Sequence, residues 1–142
     1  MLEYSIVIPL YNEEQSLEPL FSEILQVMTP LNKRYEIIFV NDGSSDRSLN
    51  IIENFQHKLP EIVKVISLEQ HSGQTYALKK GLGVAQGQIA VTLDGDLQND
   101  PADIPRLLEK INEGYDCVCG WRKARKDTFL KAGLSKMVTT GN

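Results

Sequence analysis

Cysteine is scarce in this chain, with two in 142 residues, both in the stretch YDCVCGW (115–121). Thiols so placed cannot staple a small secreted scaffold, and nothing here asks for an oxidising compartment. Strand geometry would put Cys117 and Cys119 on one face. They read as buried thiols rather than ligands, because CxC alone is a weak metal signal. Long apolar runs are also missing, and no segment approaches the ~18–20 residues of a membrane span. The opening MLEYSIVIPLYNEE lacks the basic start and cleavage site of a signal peptide, which predicts an intracellular chain. No GxGxxG follows the first apolar run and no GxxxxGK[ST] occurs anywhere, so a dinucleotide-binding Rossmann domain and a P-loop NTPase are set aside. A receiver-like phosphoacceptor domain would need paired acids held directly after the first strand and a lysine closing the fifth. Here Glu13 and Glu14 are placed to enter a helix, and no lysine ends YDCVCGW.

Positive charge is in short supply over most of the chain. Residues 1–121 carry 9 basic and 18 acidic side chains, whereas residues 122–142 carry Arg122, Lys123, Arg125, Lys126, Lys131 and Lys136 against Asp127 alone. An acidic body with a basic tail does not describe a nucleic-acid binder. It describes a local basic surface for an anion or a membrane headgroup. With 42% hydrophobic and 24% charged residues, the chain has the composition of one ordinary globular domain.

Strand and helix patterns alternate. YSIVIP (4–9), YEIIFVN (35–41), IVKVISL (62–68), QIAVTL (88–93) and YDCVCGW read as strands. EEQSLEPLFSEILQVM, DRSLNIIENFQHKL, GQTYALKKGLGVA and PADIPRLLEKINEG read as the helices between them. Ser44, Ser45 and Asp46 are the candidate N-caps of the second helix. Continuous apolar strands separated by helices predict an α/β fold, a Rossmann-like, mostly parallel sheet with helices on both faces. In such sheets ligands bind outside the carboxyl ends of the strands. PLYNEE, NDGSSD and DGDLQ follow strands one, two and four, so three polar loops should gather on one rim.

Each loop has two readings. In VNDGSSD, Asp42 can accept hydrogen bonds from a ribose or a base N–H while Gly43 turns the backbone, but the same letters encode an Asx turn and a helix cap. In DGDLQ, extended geometry sets Asp94 and Asp96 on one side and Gln98 adds an amide oxygen. These hard oxygens suit Mg2+ or Mn2+ with phosphate and water completing the shell; the alternative is a solvated turn. The tail RKARKDTFLKAGLSKMV can form a helix with Phe129, Leu130, Leu134, Met137 and Val138 along one side. That stripe would pack on the sheet or lie against anionic lipid.

YSIVIPLYNEE, VNDGSSDRS, GQTYALKKGL, TLDGDLQNDP and EGYDCVCGWRKARKD occur in the order and rough spacing of family-2 glycosyltransferases of the GT-A fold, and the resemblance spans almost the whole chain. Within that family the sequence looks most like the polyprenyl-phosphate branch, the dolichyl-phosphate mannose synthases and undecaprenyl-phosphate glucosyltransferases. The resemblance implies a donor-binding domain over residues 1–121, with residues 122–142 beginning the acceptor and membrane side. Pro9, Tyr11, Glu13, Asp42 and Asp94 would meet the nucleotide-sugar donor. Asp94, Asp96 and Gln98 would hold Mg2+ or Mn2+, with Asp96 facing the metal most directly. Arg122 would lie near the phosphates, and Arg122 with Arg125 would meet an acceptor phosphate. The implied reaction is inverting transfer of a hexose from a UDP- or GDP-sugar to a polyprenyl phosphate, at the inner face of the cell membrane. Transfer to a saccharide hydroxyl, or nucleotide and metal binding without turnover, are the alternatives. Family-2 domains usually continue past the basic segment. The C-terminal part of the fold is therefore expected to be missing, and the sheet edge so exposed could be sealed by homo-oligomer formation. QHSG (70–73) departs from the commoner Arg-Asn-x-Gly pattern, which leaves His71 as either a donor contact or a satisfied loop histidine.

Overall fold

The computed structural model describes residues 2–93, residues 102 and 105, and the backbone of 117–119, 129–131 and 136–139. The elements run β1 (Tyr4–Leu10), α1 (Leu17–Met28), a 3-10 turn (Thr29–Leu31), β2 (Tyr35–Asp42), α2 (Ser48–Lys58), β3 (Val63–Leu68), α3 (Gln74–Val84), β4 (Ile89–Thr92), β5 (Cys117–Cys119), β6 (Phe129–Lys131) and β7 (Lys136–Thr139). They form a sheet of order β3-β2-β1-β4-β5-β7-β6. Every pairing is parallel except β6 with β7.

Side chains alternate across the strands, and the alternation assigns the helices to faces. Ile6, Ile8 and Leu10 of β1 with Ile37 and Phe39 of β2 meet Leu17, Leu20, Phe21 and Ile24 of α1 and Ile52 and Phe55 of α2. Phe21 stacks on Phe55 at 4.1 Å between ring centroids, and Phe39 closes the aromatic group. On the other face, Val7, Ile38 and Val40 pack against Ala77 of α3. Gly81 lets α3 approach closely, since a Cβ there would lie 2.4 Å from Val7 Cγ1. Burying side chains of this size contributes roughly 1.5–3 kcal/mol each, so both faces must be covered for the sheet to persist.

The strand order reverses between β1 and β4, which places a topological switch point beside the carboxyl end of β1. β4 pairs with β1 only from Tyr4↔Ile89 to Val7↔Thr92. Proline lacks the N–H a central strand needs. Pro9 is tolerated because it lies past this ladder, paired with Val40 of β2 alone among the described residues. The backbone N–H of Leu93 donates to Val7 O at 3.0 Å, so the strand that precedes DGDLQ is delivered to the rim beside β1.

Several sequence expectations need correction. Glu13 and Glu14 do not enter the first helix; they lie in the loop before α1, which starts at Leu17. The cap position of α2 is Arg47, not Ser44, Ser45 or Asp46, although the Asp46 carboxylate does bond to the first helical N–H. The basic tail is not one amphipathic helix, because Phe129–Lys131 and Lys136–Thr139 form the strand pair β6–β7. The apolar spacing there fits a helix, but pairing β7 with the open edge of β5 satisfies backbone groups that a helix on the surface would leave unmet. The helix expected over PADIPRLLEKINEG lies outside the described residues, apart from Ala102 and Pro105.

Candidate functional site

The loops after β1 and β2 are sewn together. Asn12 adopts a left-handed backbone, φ 51°, a conformation asparagine tolerates better than most residues. Its Oδ1 accepts from the N–H groups of Ser45 at 2.8 Å and Asp46 at 3.3 Å, and its own N–H donates to Ser44 Oγ at 2.9 Å. Glu13 N–H donates to Ser48 Oγ, Glu14 N–H to Asp46 Oδ2, and Arg47 N–H to Glu14 Oε1. Burial alone would push the Asp46 carboxyl up. Hydrogen bonds from Ser48, the Glu14 N–H and its own N–H outweigh that and hold it below the usual carboxylate value. The polar letters of SSDRS therefore act as cross-loop fasteners.

Asp42 turns the other way, toward the loop between β3 and α3. It is 2% exposed. Its Oδ1 accepts from Ser72 N–H at 2.7 Å and its Oδ2 from Gly73 N–H at 2.9 Å, so the carboxylate sits at the N-terminus of α3, where a negative charge is favoured. His71 Nδ1 lies 2.8 Å from the same Oδ2 and 3.2 Å from the Asp42 carbonyl oxygen. The His71 ring stacks on Tyr11 with centroids 3.8 Å apart and planes at 29°. Gly43 makes this approach feasible: its φ is +72°, and a Cβ there would sit 2.4 Å from His71 N.

Of the residues expected at the donor, Tyr11 and Asp42 are thus brought together, with His71 between them. Pro9 is buried in β1 below them. Glu13 is placed elsewhere, on an open polar cleft of about 300 Å3 lined by Asn12, Glu13, Glu14, Gln15, Ser16 and Asp46. Asp94, Asp96, Gln98, Arg122 and Arg125 lie outside the described residues, as do the side chains of Cys117 and Cys119. Among the described residues no cluster of three His, Cys, Asp or Glu side chains could hold a metal ion, and no helix is long and apolar enough to cross a membrane. Sequence reasoning passed over Asn12 as a fastener and left His71 undecided. A signal for Asn12 existed, since an asparagine in the turn after a strand tolerates a left-handed backbone.

The fold is a doubly wound α/β domain with a topological switch point between β1 and β4, of the GT-A type. The chain belongs to glycosyl transferase family 2, whose sequence profile matches residues 5–140. It is 44% identical over 138 residues to an uncharacterised glycosyltransferase of Synechocystis, covering 96% of this chain and 43% of the relative. It is 39% identical over 132 residues to the dodecaprenyl-phosphate galacturonate synthase of Rhizobium johnstonii, covering 92% and 39%. It is 41% identical over 134 residues to the undecaprenyl-phosphate 4-deoxy-4-formamido-L-arabinose transferase of Proteus mirabilis, covering 94% and 41%. The chain therefore spans about two-fifths of the length of these relatives. Among solved structures it resembles residues 1–349 of TarS from S. aureus in complex with UDP-GlcNAc, with a TM-score of 0.65 and 26% identity, over 79% of this chain and 32% of that one.

Proposed function

We propose that this protein transfers a sugar from a nucleoside-diphosphate donor to a polyprenyl phosphate, with inversion at the anomeric carbon. The observation that carries the reading is the polyprenyl-phosphate chemistry in the names of two relatives, each matched over more than nine-tenths of this chain. The switch-point rim, with Tyr11 and Asp42 at one side and DGDLQ following β4, supports donor binding at this end of the sheet.

The donor set of DGDLQ fits a divalent metal in its chemistry. Two carboxylates and an amide oxygen are the hard ligands Mg2+ and Mn2+ prefer, and a diphosphate can fill the remaining positions. Asp94, Asp96 and Gln98 would hold the ion. When bound, it would stabilise the negative charge that grows on the leaving diphosphate. Arg122 would add charge-assisted hydrogen bonds to phosphate oxygens, and Arg125 would help hold the acceptor. A polyprenyl phosphate is ionised near neutral pH, so alignment matters more than deprotonation. The basic residues from Arg122 to Lys136 would draw the protein to the anionic inner face of the membrane, where such an acceptor resides.

Calorimetric titration with UDP and with GDP, each with and without Mn2+, tests the donor half. Metal-dependent binding that disappears in Asp96→Ala supports the assignment, and binding retained in that variant removes it. Transfer of radiolabelled sugar to a polyprenyl phosphate by the full-length protein tests the acceptor half. Transfer only to a saccharide hydroxyl would replace this reading with the alternative.

A further inference from the structure

The helices on the two faces of the sheet differ in charge. On the α1–α2 side, Glu18, Glu23 and Glu53 are exposed. The α3 side differs: from Gln70 to Leu93 the chain contains no Asp or Glu, and it carries Lys79 and Lys80, both exposed. Among the described residues neither lysine pairs with a carboxylate, although the whole chain has 19 acidic residues against 15 lysines and arginines.

The outer side of α3 is also apolar in places where a solvated helix would be polar. Of its 11 residues, Ala77 and Gly81 are the buried ones. Tyr76, Lys80 and Val84 recur every fourth residue, so they line up along the helix beside that buried pair. Tyr76 is 45% exposed and Val84 47%. They are two of the three exposed large hydrophobic side chains among the described residues, the third being Tyr11 at the rim. Lys80 Nζ lies 5.3 Å from the centroid of the Tyr76 ring, a cation–π contact. A ring with a polar tip, an aliphatic side chain and two lysines, whose stems bury methylenes while their ammonium groups stay among headgroups, suit the boundary of an anionic bilayer. The same surface repels the acidic α1–α2 side, so the charge pattern sets orientation as well as attraction.

We propose that the outer face of α3, formed by Tyr76, Lys79, Lys80 and Val84, is the surface on which this domain lies against anionic lipid. The start of α3 is tied to the rim, because Ser72 and Gly73 bond to Asp42 at the end of β2. A domain resting on α3 therefore keeps the carboxyl ends of its strands beside the headgroups, where an acceptor phosphate would lie. The inference rests on the polyprenyl-phosphate reading above and goes beyond it by naming the face of the folded domain that meets the lipid.

The test is co-sedimentation of the protein with vesicles of phosphatidylcholine alone and of phosphatidylcholine and phosphatidylglycerol in equal parts. The unaltered protein should bind the anionic vesicles and not the neutral ones. Lys79→Gln/Lys80→Gln should weaken that binding about thirtyfold, the sum expected of two lysines near an anionic surface, and Tyr76→Ser about fivefold. Lys33→Gln/Lys58→Gln removes the same charge outside α3 and should change binding less than about threefold. Equal losses in the two double variants would mean that net charge alone attracts the protein, and would overturn the proposal. So would an unaltered protein that ignores anionic vesicles. A self-association in light scattering that Tyr76→Ser abolishes, with vesicle binding unchanged, would assign the face to a second copy and overturn it as well. Sugar transfer by the full-length protein to a polyprenyl phosphate held in detergent checks the underlying reading without a lipid surface. Lys79→Gln/Lys80→Gln should leave that transfer unchanged, whereas no transfer by the unaltered protein would sink the acceptor reading and this inference with it.

Discussion

Glu36 is a fully buried carboxylate in the otherwise apolar run of β2, at the end of the sheet opposite the site. Its Oε2 accepts from Ser5 Oγ at 2.6 Å and from Gln86 N–H at 2.7 Å, and its Oε1 is paired with the Lys64 ammonium. Ser5 Oγ in turn accepts from Gly87 N–H at 2.8 Å. One side chain thus binds the starts of β1 and β3 to the turn that enters β4. Glu36→Ala would leave the buried Ser5 hydroxyl without its acceptor, at about 1–3 kcal/mol, would take the partner of the Gln86 N–H, and would deprive the Lys64 ammonium of its carboxylate. Losing the whole carboxylate costs about 3–5 kcal/mol in total. Lys64→Met should cost less, about 1–3 kcal/mol, because it strips a fully buried carboxylate of its counter-charge but leaves Ser5 and Gln86 donating to it. Glu36→Gln keeps an acceptor oxygen for the buried donors and should fall between. Urea unfolding at constant m-value measures all three. If Lys64→Met cost as much as Glu36→Ala, the stabilisation would reside in the ion pair, and the reasoning from buried donors would be wrong. The pH dependence gives a second reading. Burial pushes the Glu36 carboxyl up, but hydrogen bonds from Lys64, Ser5 and Gln86 together outweigh it and hold the pKa below its ordinary 4.5. A depressed folded pKa means the contribution is fully present above the unfolded value and is lost as pH falls through the folded one. Acid unfolding should therefore begin at higher pH in Glu36→Gln than in the unaltered protein.

Three further outcomes follow from the packing. Gly43→Ala forces a Cβ into a left-handed residue and 2.4 Å from His71 N; it should cost about 1–3 kcal/mol in urea unfolding, and a neutral result would show that the two loops do not approach as closely as the structure places them. Asn12→Ala removes the acceptor shared by Ser45 and Asp46 N–H and should cost about 0.5–1.5 kcal/mol, with amide exchange of Ser45 and Asp46 accelerated; unaltered exchange there would contradict the fastening role. Gly81→Val would overlap Val7 Cγ1 and should cost about 1–3 kcal/mol in thermal unfolding, and a neutral result would mean α3 sits less tightly on β1 than the structure places it.

Much of the fold is written in local pattern. Runs such as YSIVIP and YEIIFV state that both faces of a strand are buried, and the helical spacing in LEPLFSEILQVM states which side of α1 meets them. These signals survive because hydrophobic periodicity is set by each residue's own neighbours in sequence. The same reasoning failed at Phe129–Val138, where helical spacing was present and strands formed, because the demand of an open sheet edge is not a property of the segment itself.

The site divides along the same line. The residues in order were enough to show that polar loops follow strands one, two and four, and family motifs made Tyr11 and Asp42 candidates. That β1 lies between β2 and β4, which creates the switch point, emerged only in three dimensions. So did the commitment of the Asp42 carboxylate to residues 71–73, some 30 positions away, and the resting place of His71 on Tyr11 across 60 positions of chain. Strand order and cross-loop hydrogen bonds depend on which distant groups satisfy one another once water is excluded, and no local pattern encodes that pairing.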